Sequence, residues 1–330
     1  MEYLLKASAI VIVFYIFYKI ILQRDTFFEL SRWFLLFGLV SSFVIPLIVI
    51  PIYVEQPQFI FENTAAPDKL ETANMVKDSF NLYSVLLSTY FFGLAVFTLR
   101  FIFNLSKVVF ILKRSKKQKS EHYICGETTY NIPPFSFFNF IIYNPKSFNT
   151  LELEQIILHE KIHARQMHSV DVLFSQIACV VLWFNPLVWL YNKDLKQNLE
   201  FIADKTAIIN SGCKKSYQYT LLKLSMPSHQ LALTNNFYNS LIKKRIVMLH
   251  KSKSKSINQL KYILIVPILT AFLMSFNTKK VYVEKEKPII ENPLISNALI
   301  DGALITDVWC IDIHFIYKSS RKSKYSYVYY

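Results

Sequence analysis

The chain has 330 residues, of which 53% are hydrophobic and only 18% charged, with a net charge of +14 and a mean hydropathy of +0.28. Soluble domains carry about 25% charged residues, so this balance excludes an ordinary soluble protein and points to the membrane, while a total of five glycines argues for helices over a loop-rich or all-β fold. A net positive charge also suits a nucleic-acid binder, but here the lysines flank apolar runs as the cytoplasmic ends of membrane helices do, and no direct nucleic-acid binding is expected.

The first apolar run, Leu4 to Leu22, lacks a small-residue cleavage site and is closely followed by another, so it reads as a retained span and not a signal peptide. Trp33 to Val54 is the second run, with Pro46 and Pro51 towards its end. Leu82 to Leu105 is the third, interrupted only by Arg100, which can snorkel to an interface. Each is long enough to cross a hydrocarbon core of about 30 Å. The 55–81 loop carries Glu55, Glu62, Asp68, Glu71 and Asp78 against Lys69 and Lys77. Lys107, Lys113, Arg114, Lys116, Lys117 and Lys119 follow the third run, and Arg24 and Arg32 follow the first. The positive-inside rule therefore places the 55–81 loop and the N-terminus outside and residues 106 onward in the cytoplasm.

Residues 106–261 form a middle domain. The Pro-containing stretch Asn131 to Asn139 reads as loop or edge strand, and Phe140 to Tyr143 as a short strand. Thr150 is the expected N-cap of a helix running from about 151 through His168. Within it, His159-Glu160-Lys161-Ile162-His163 sets two imidazoles at i, i+4 on one helical face. Two such histidines can share a zinc ion, with Glu160 beside them as a general base for the attacking water. The third ligand is not a downstream histidine at the ten-residue spacing, because position 169 is Ser169; His168 misses by one and is expected in a supporting or surface role. Glu200 and Asp204 form a second i, i+4 pair. In a glutamate-type zinc peptidase the first acid of such a pair ligates the metal, and the second steadies a ligating histidine or its helix. Val172 to Asn192 is uncharged and long enough to be a span. A crossing there would put the histidines and Glu200 on opposite sides of the membrane. Asn185-Pro186 breaks the run, so it reads as a helical hairpin at 172–192, buried or dipping into the membrane.

Residues 243–261 are basic, with Lys243, Lys244, Arg245, Lys251, Lys253, Lys255 and Lys261, and they precede a short fourth run, Tyr262 to Phe276, that contains Pro267. Residues 277–330 would then be an external tail of no assigned fold. Cys125, Cys179, Cys213 and Cys310 form no Cys-x-x-Cys pair, and Cys179 reads as core.

Residues 82–276 resemble the BlaR/MecR-type membrane metallopeptidases. The stretches that carry the likeness are Pro134 to Asn139, His159 to Asp171, Trp183 to Leu187, Glu200 to Asp204 and Arg245 to Leu249. The resemblance implies a mainly α membrane protein, a helical transmembrane bundle with an inserted gluzincin-like α(+β) zinc metallopeptidase domain facing the cytoplasm. It implies Zn²⁺ on His159, His163 and Glu200, Glu160 as catalytic base and Asp204 as the family's second acid. It also implies a bacterial inner-membrane location, and a signalling role in which a BlaI/MecI-type repressor is inactivated by cleavage. Residues 277–330 are too few for the penicillin-binding sensor of well-known members, so β-lactam sensing is not implied. Ser319-Ser-Arg-Lys322 and Ser252-Lys-Ser-Lys255 both match Ser-x-x-Lys within Lys/Ser-rich sequence and carry no weight. The competing readings are a housekeeping protease of the HtpX type, which shares the zinc constellation, and a non-catalytic membrane scaffold, which has no chemical need for Glu160.

Overall fold

The computed structural model describes residues 2–55, 82–120, 122–211, 214–225 and 235–283. The first apolar run is α1 (Glu2–Phe17), which widens into one π-helical stretch at Tyr18–Leu22. The second is α2 (Phe28–Val44), tightened to a 3₁₀ turn at Ile45–Leu47. Beyond Leu47 the expected helix to Val54 gives way to a strand, β1 (Ile50–Glu55). Pro51 has no N–H for a helical bond and biases Ile50 towards extended backbone. The third run, α3 (Leu82–Arg114), continues well past Leu105. At 1.5 Å per residue it is about 50 Å long, which exceeds a hydrocarbon core of about 30 Å.

α3 leads directly into a four-stranded sheet: β2 (Lys116–Ser120), β3 (Tyr123–Glu127), β4 (Phe135–Phe137) and β5 (Phe140–Tyr143), in spatial order β2-β3-β5-β4. β3 and β5 are parallel, and the outer pairings are antiparallel. The stretch expected to be loop or edge strand thus supplies the edge strand β4, and Phe140–Tyr143 is a strand as expected. The helices that follow are α4 (Thr150–Arg165), α5 (His168–Val181), α6 (Pro186–Ser211), α7 (Lys214–Ser225) and α8 (Asn235–His250). A 3₁₀ stretch, Ser256–Leu264, then runs into α9 (Ile265–Phe276), and β6 (Thr278–Val283) pairs with β1. The fourth apolar helix therefore starts near 256 and not 262. Pro267 is no obstacle, since it sits in the first turn of α9, where a missing N–H is tolerated.

Among the described residues, four helical segments are long and apolar enough to cross a membrane: Glu2–Leu22, Phe28–Leu47, Leu82–Arg114 and Ser256–Phe276. The chain is a mainly α membrane protein. Most of the 55–81 loop, the tail beyond 283, Cys213 and Cys310 lie outside the described residues.

The uncharged run 172–192 is the hairpin between α5 and α6. It turns at Leu182–Asn185, and the Asn185 side chain accepts the Leu187 N–H at 2.9 Å while Pro186 opens α6. The hairpin packs into the bundle. Ile10 and Phe14 of α1, Leu35 and Leu39 of α2, and Leu182, Tyr191 and Leu195 of the hairpin share one buried cluster, with Cys179 in it. Lys19 on the π-helical stretch meets Asp194 at 2.6 Å, and Asn185 Nδ2 donates to Ser8 Oγ at 2.9 Å. Between those contacts the hairpin follows the first helix for about 16 Å. Gly38 lets α2 come this close, since a Cβ there would lie 2.6 Å from the Tyr191 hydroxyl and 2.7 Å from the Phe14 ring.

The two ends of the bundle differ. At one, β1 meets β6, and Tyr3 and Asn277 donate to the carbonyls of Phe43 and Ile45 at 2.8 and 2.6 Å. At the other, Asp25 accepts from Asn258 and Lys261, each at 3.0 Å, and Phe28 packs on Leu199, Phe201 and Ile202 of α6. The start of α5 and the later turns of α6 lie at this second end, through Arg32–Asp171 and the Phe28 cluster, and α4 packs on them and on the sheet.

Candidate metal centre

α4 begins with a capping box. Asn149, one residue before the expected cap Thr150, accepts the Glu152 N–H at 2.8 Å, and Glu152 returns a bond to the Asn149 N–H at 3.1 Å. The helix stops at Arg165, three residues short of the expected His168. Met167 is left-handed, with φ 55°, and reverses the chain so that His168 opens α5. The reversal sets the His168 ring edge-on to His163, with centroids 4.7 Å apart.

His159 and His163 point the same way from α4. Their Nε2 atoms are 3.1 Å apart, and the Glu200 carboxylate completes a triangle, 3.4 Å from His159 Nε2 and 3.8 Å from His163 Nε2. A tetrahedral ion with bonds of about 2.0–2.1 Å to nitrogen needs ligand atoms about 3.3 Å apart. The His-His-Glu donor set and its spacing therefore fit a metal ion.

The hydrogen bonds behind the triangle fix which nitrogens face it. The Tyr217 hydroxyl donates to Asp204 Oδ1 at 2.8 Å, so His159 Nδ1, 2.8 Å from the same hydroxyl, is the donor to it. That leaves His159 Nε2 with a lone pair. Asp204 is fully buried and takes two bonds from Arg245, at 2.8 and 2.6 Å; the third guanidinium nitrogen lies 2.9 Å from Glu200. Loss of hydration by itself would raise the Glu200 carboxyl, but Arg245 and the two histidines outweigh it and hold it well below the usual carboxylate range. Desolvation and the Asp204 charge push the Tyr217 phenol up, so it keeps the proton it donates. Behind His163, His168 Nδ1 lies 2.8 Å from His163 Nδ1, and its Nε2 meets Gln166 Oε1 at 2.9 Å. Desolvation, helped by His163 and Arg32, pushes the buried His168 down to about 2 and keeps it neutral.

Of the six residues singled out from sequence, His159, His163, Glu200, Asp204 and His168 are thus joined in one network. Glu160, 9% exposed, lines a cavity of about 200 Å³ together with His159, Glu200, Ile156, Pro133 and Pro134. Another cavity, about 320 Å³, opens beside His163 and Glu200 and is walled by Phe101, Leu105 and Val108 of α3. Sequence reasoning did not single out Tyr217, and it met Arg245 only as part of a basic, family-like run. No pattern marked Tyr217. Arg245 carried a usable signal, since a pair of acids, one of them fully buried, calls for a cation.

The comparisons agree with this geometry. Residues 135–249, β4 through most of α8, match the family described as BlaR1 peptidase M56. A stretch of 160 residues, 45% of the chain, is 27% identical to the regulatory protein BlaR1 of Staphylococcus aureus and covers 27% of it. Another of 108 residues, 30% of the chain, is 31% identical to the regulatory protein BlaR1 of Bacillus licheniformis and covers 18% of it. The matches thus span about a quarter or less of these relatives. The BlaR/MecR-type resemblance read from the residues holds, and the matched residues 135–249 contain His159, His163 and Glu200.

Proposed function

With a BlaR1-type M56 domain at its centre, we propose that this chain is a zinc-dependent membrane endopeptidase that uses His159, His163 and Glu200 as metal ligands and Glu160 as general base. The observation that carries this is the triangle of two Nε2 atoms and one carboxylate, with Glu160 on the same helix at the cleft. Held by His159, His163 and Glu200, a zinc ion would supply Lewis acidity for the scissile carbonyl and the attacking water. Glu160 takes the water's proton and returns it to the leaving amine. Arg245 and Tyr217 hold Asp204 and, through it, His159. The arrangement belongs to a signalling protease of the bacterial inner membrane, whose domain faces the cytoplasm and whose action leads to cleavage of a BlaI/MecI-type repressor. Two observations support that orientation. Arg24, Lys251, Lys253 and Lys255 lie at the end of the bundle that carries the metal site, and β1, which the acidic stretch 55–81 follows in sequence, lies at the other.

The test is metal content and proteolysis of the detergent-purified protein with such a repressor as substrate. Glu160→Gln keeps zinc and lowers turnover by about 10²–10⁴. Glu200→Ala weakens zinc by more than the roughly 100-fold expected for losing an outer partner. A wild-type protein without zinc, or one whose Glu160→Gln form still cuts, overturns the reading. A zinc enzyme that spares the repressor overturns only the substrate.

A further inference from the structure

Arg32 is a charged side chain inside a helix long enough to cross a membrane, and it is buried, at 8% exposure. Its Nε meets Asp171 Oδ2 at 2.6 Å; Nη2 donates to the Gln166 carbonyl at 2.8 Å and Nη1 to Gln166 Oε1 at 3.3 Å. A charged group at such a place needs a reason, and the polarity of its hydrogen bonds supplies one. A guanidinium can only donate. Gln166 must therefore turn its amide oxygen towards Arg32, which sends its nitrogen to Glu29 at 3.2 Å. The same oxygen is 2.9 Å from His168 Nε2, so that nitrogen carries the proton. His168, 2% exposed and beside a cation, is neutral, and its Nδ1 is bare. His163 Nδ1, 2.8 Å away, must then donate to it, which leaves the His163 lone pair on Nε2, facing His159.

Reversing the Gln166 amide inverts every step. Its nitrogen would donate to His168 Nε2, His168 Nδ1 would donate to His163, and His163 would carry its proton on Nε2, where it could not bind a metal.

We propose that Arg32 is a positioning residue for the metal centre: from the second membrane helix, through Gln166 and His168, it selects the tautomer and ring orientation in which His163 offers Nε2 to the metal. This rests on the metal-site reading above and adds that the membrane helix takes part in building the site. The left-handed Met167 is the local expense of the arrangement, since a straight continuation of α4 would carry His168 away from His163.

The test uses the full chain in detergent with Zn²⁺, by competition against a chromophoric chelator, and with Co²⁺, whose visible spectrum reports the ligand set. Arg32→Lys keeps a charge for Asp171 but loses the fork that holds Gln166. It is expected to weaken both metals about 10- to 100-fold and to alter the Co²⁺ spectrum. Adding Gln166→Glu to Arg32→Lys restores an acceptor for His168 however the side chain turns, and regains most of the affinity. Lys19→Met cuts a different ion pair, between the first apolar segment and Asp194 of α6, that does not touch Gln166 or His168. It lowers the melting temperature and leaves metal affinity and spectrum unchanged. If Arg32→Lys does not fold, Gln166→Met removes the same link and is expected to show the same loss. Wild-type affinity and spectrum in Arg32→Lys or Gln166→Met overturn the proposal, as does an equal loss in Lys19→Met. A wild-type protein that binds neither metal overturns the metal site itself, and with it this role for Arg32.

Discussion

His159 and His163 stand one turn apart on α4, yet they lean on different parts of the chain. His159 is braced from within the domain, by Tyr217 of α7, Asp204 of α6 and, behind them, Arg245 of α8. His163 is backed by His168, and that line runs through Gln166 to Arg32 on a membrane helix. Two chemically identical side chains thus have different environments, one anionic and internal, the other neutral and tied to the bundle. Half of the site is braced within the domain, and half is assembled against α2.

Three measurements break or sharpen this contrast. The largest effect is expected from Asp204→Ala. It takes the acceptor from two guanidinium nitrogens of Arg245 and from the Tyr217 hydroxyl, leaving Arg245 only Glu200, and losing one member of a buried ion pair costs about 3–5 kcal/mol. Thermal unfolding in detergent should show a large fall. A near-neutral result would mean that the His159 side is not braced as described.

Tyr217→Phe is milder. Asp204 keeps its two bonds from Arg245, but His159 Nδ1 loses its partner. Zinc affinity is expected to fall about 10-fold with little loss of melting temperature. A loss of fold with intact metal affinity would break the comparison from the other direction.

The smallest effect is an order of titration in the metal-free protein. Desolvation lowers both imidazoles. At His159 the hydrogen bond and charge of Glu200, with Asp204, more than offset it, and the group lies above the ordinary histidine value. At His163 desolvation and the neighbouring His159 charge prevail, and the group lies below it. The sign of the linkage follows. Stability from His159 is present at low pH and lost as pH rises through its raised pKa. His163 stays neutral and destabilises the fold only in acid, below its unfolded pKa. Histidine NMR titrations should show His159 taking up the first proton, and the reverse order would sink the contrast. Metal binding must expel that proton, so affinity falls as the solution is acidified.

Much of the molecule was legible in the chain. The apolar runs are helices because their length and composition leave few other ways to satisfy the backbone in lipid. The hairpin at 172–192 followed from requiring that Glu200 and the histidines share one ion, and Asn185-Pro186 is where it turns. The errors are local. Pro51 ends the second helix early and makes a strand whose partner, β6, is more than two hundred residues away in sequence, a pairing that no local pattern reveals. α3 outruns the apolar stretch because helix propensity does not stop where hydrophobicity does. Asn149 displaces Thr150 as the cap by one position, and the left-handed Met167 splits one expected helix into two.

The sequence by itself determined the chemistry on offer: two imidazoles at i, i+4 with a carboxylate between them, a second acidic pair downstream, and helices long enough for a membrane. These are properties of spacing along a helix, and spacing is written in the chain. Only the tertiary structure decided which nitrogen each histidine presents, because a tautomer is set by what stands behind the ring. Tyr217, Arg245 and Arg32 reach that position from three other helices, and hydrogen-bond polarity between them exists only after packing has brought donors and acceptors within 3 Å or so of one another.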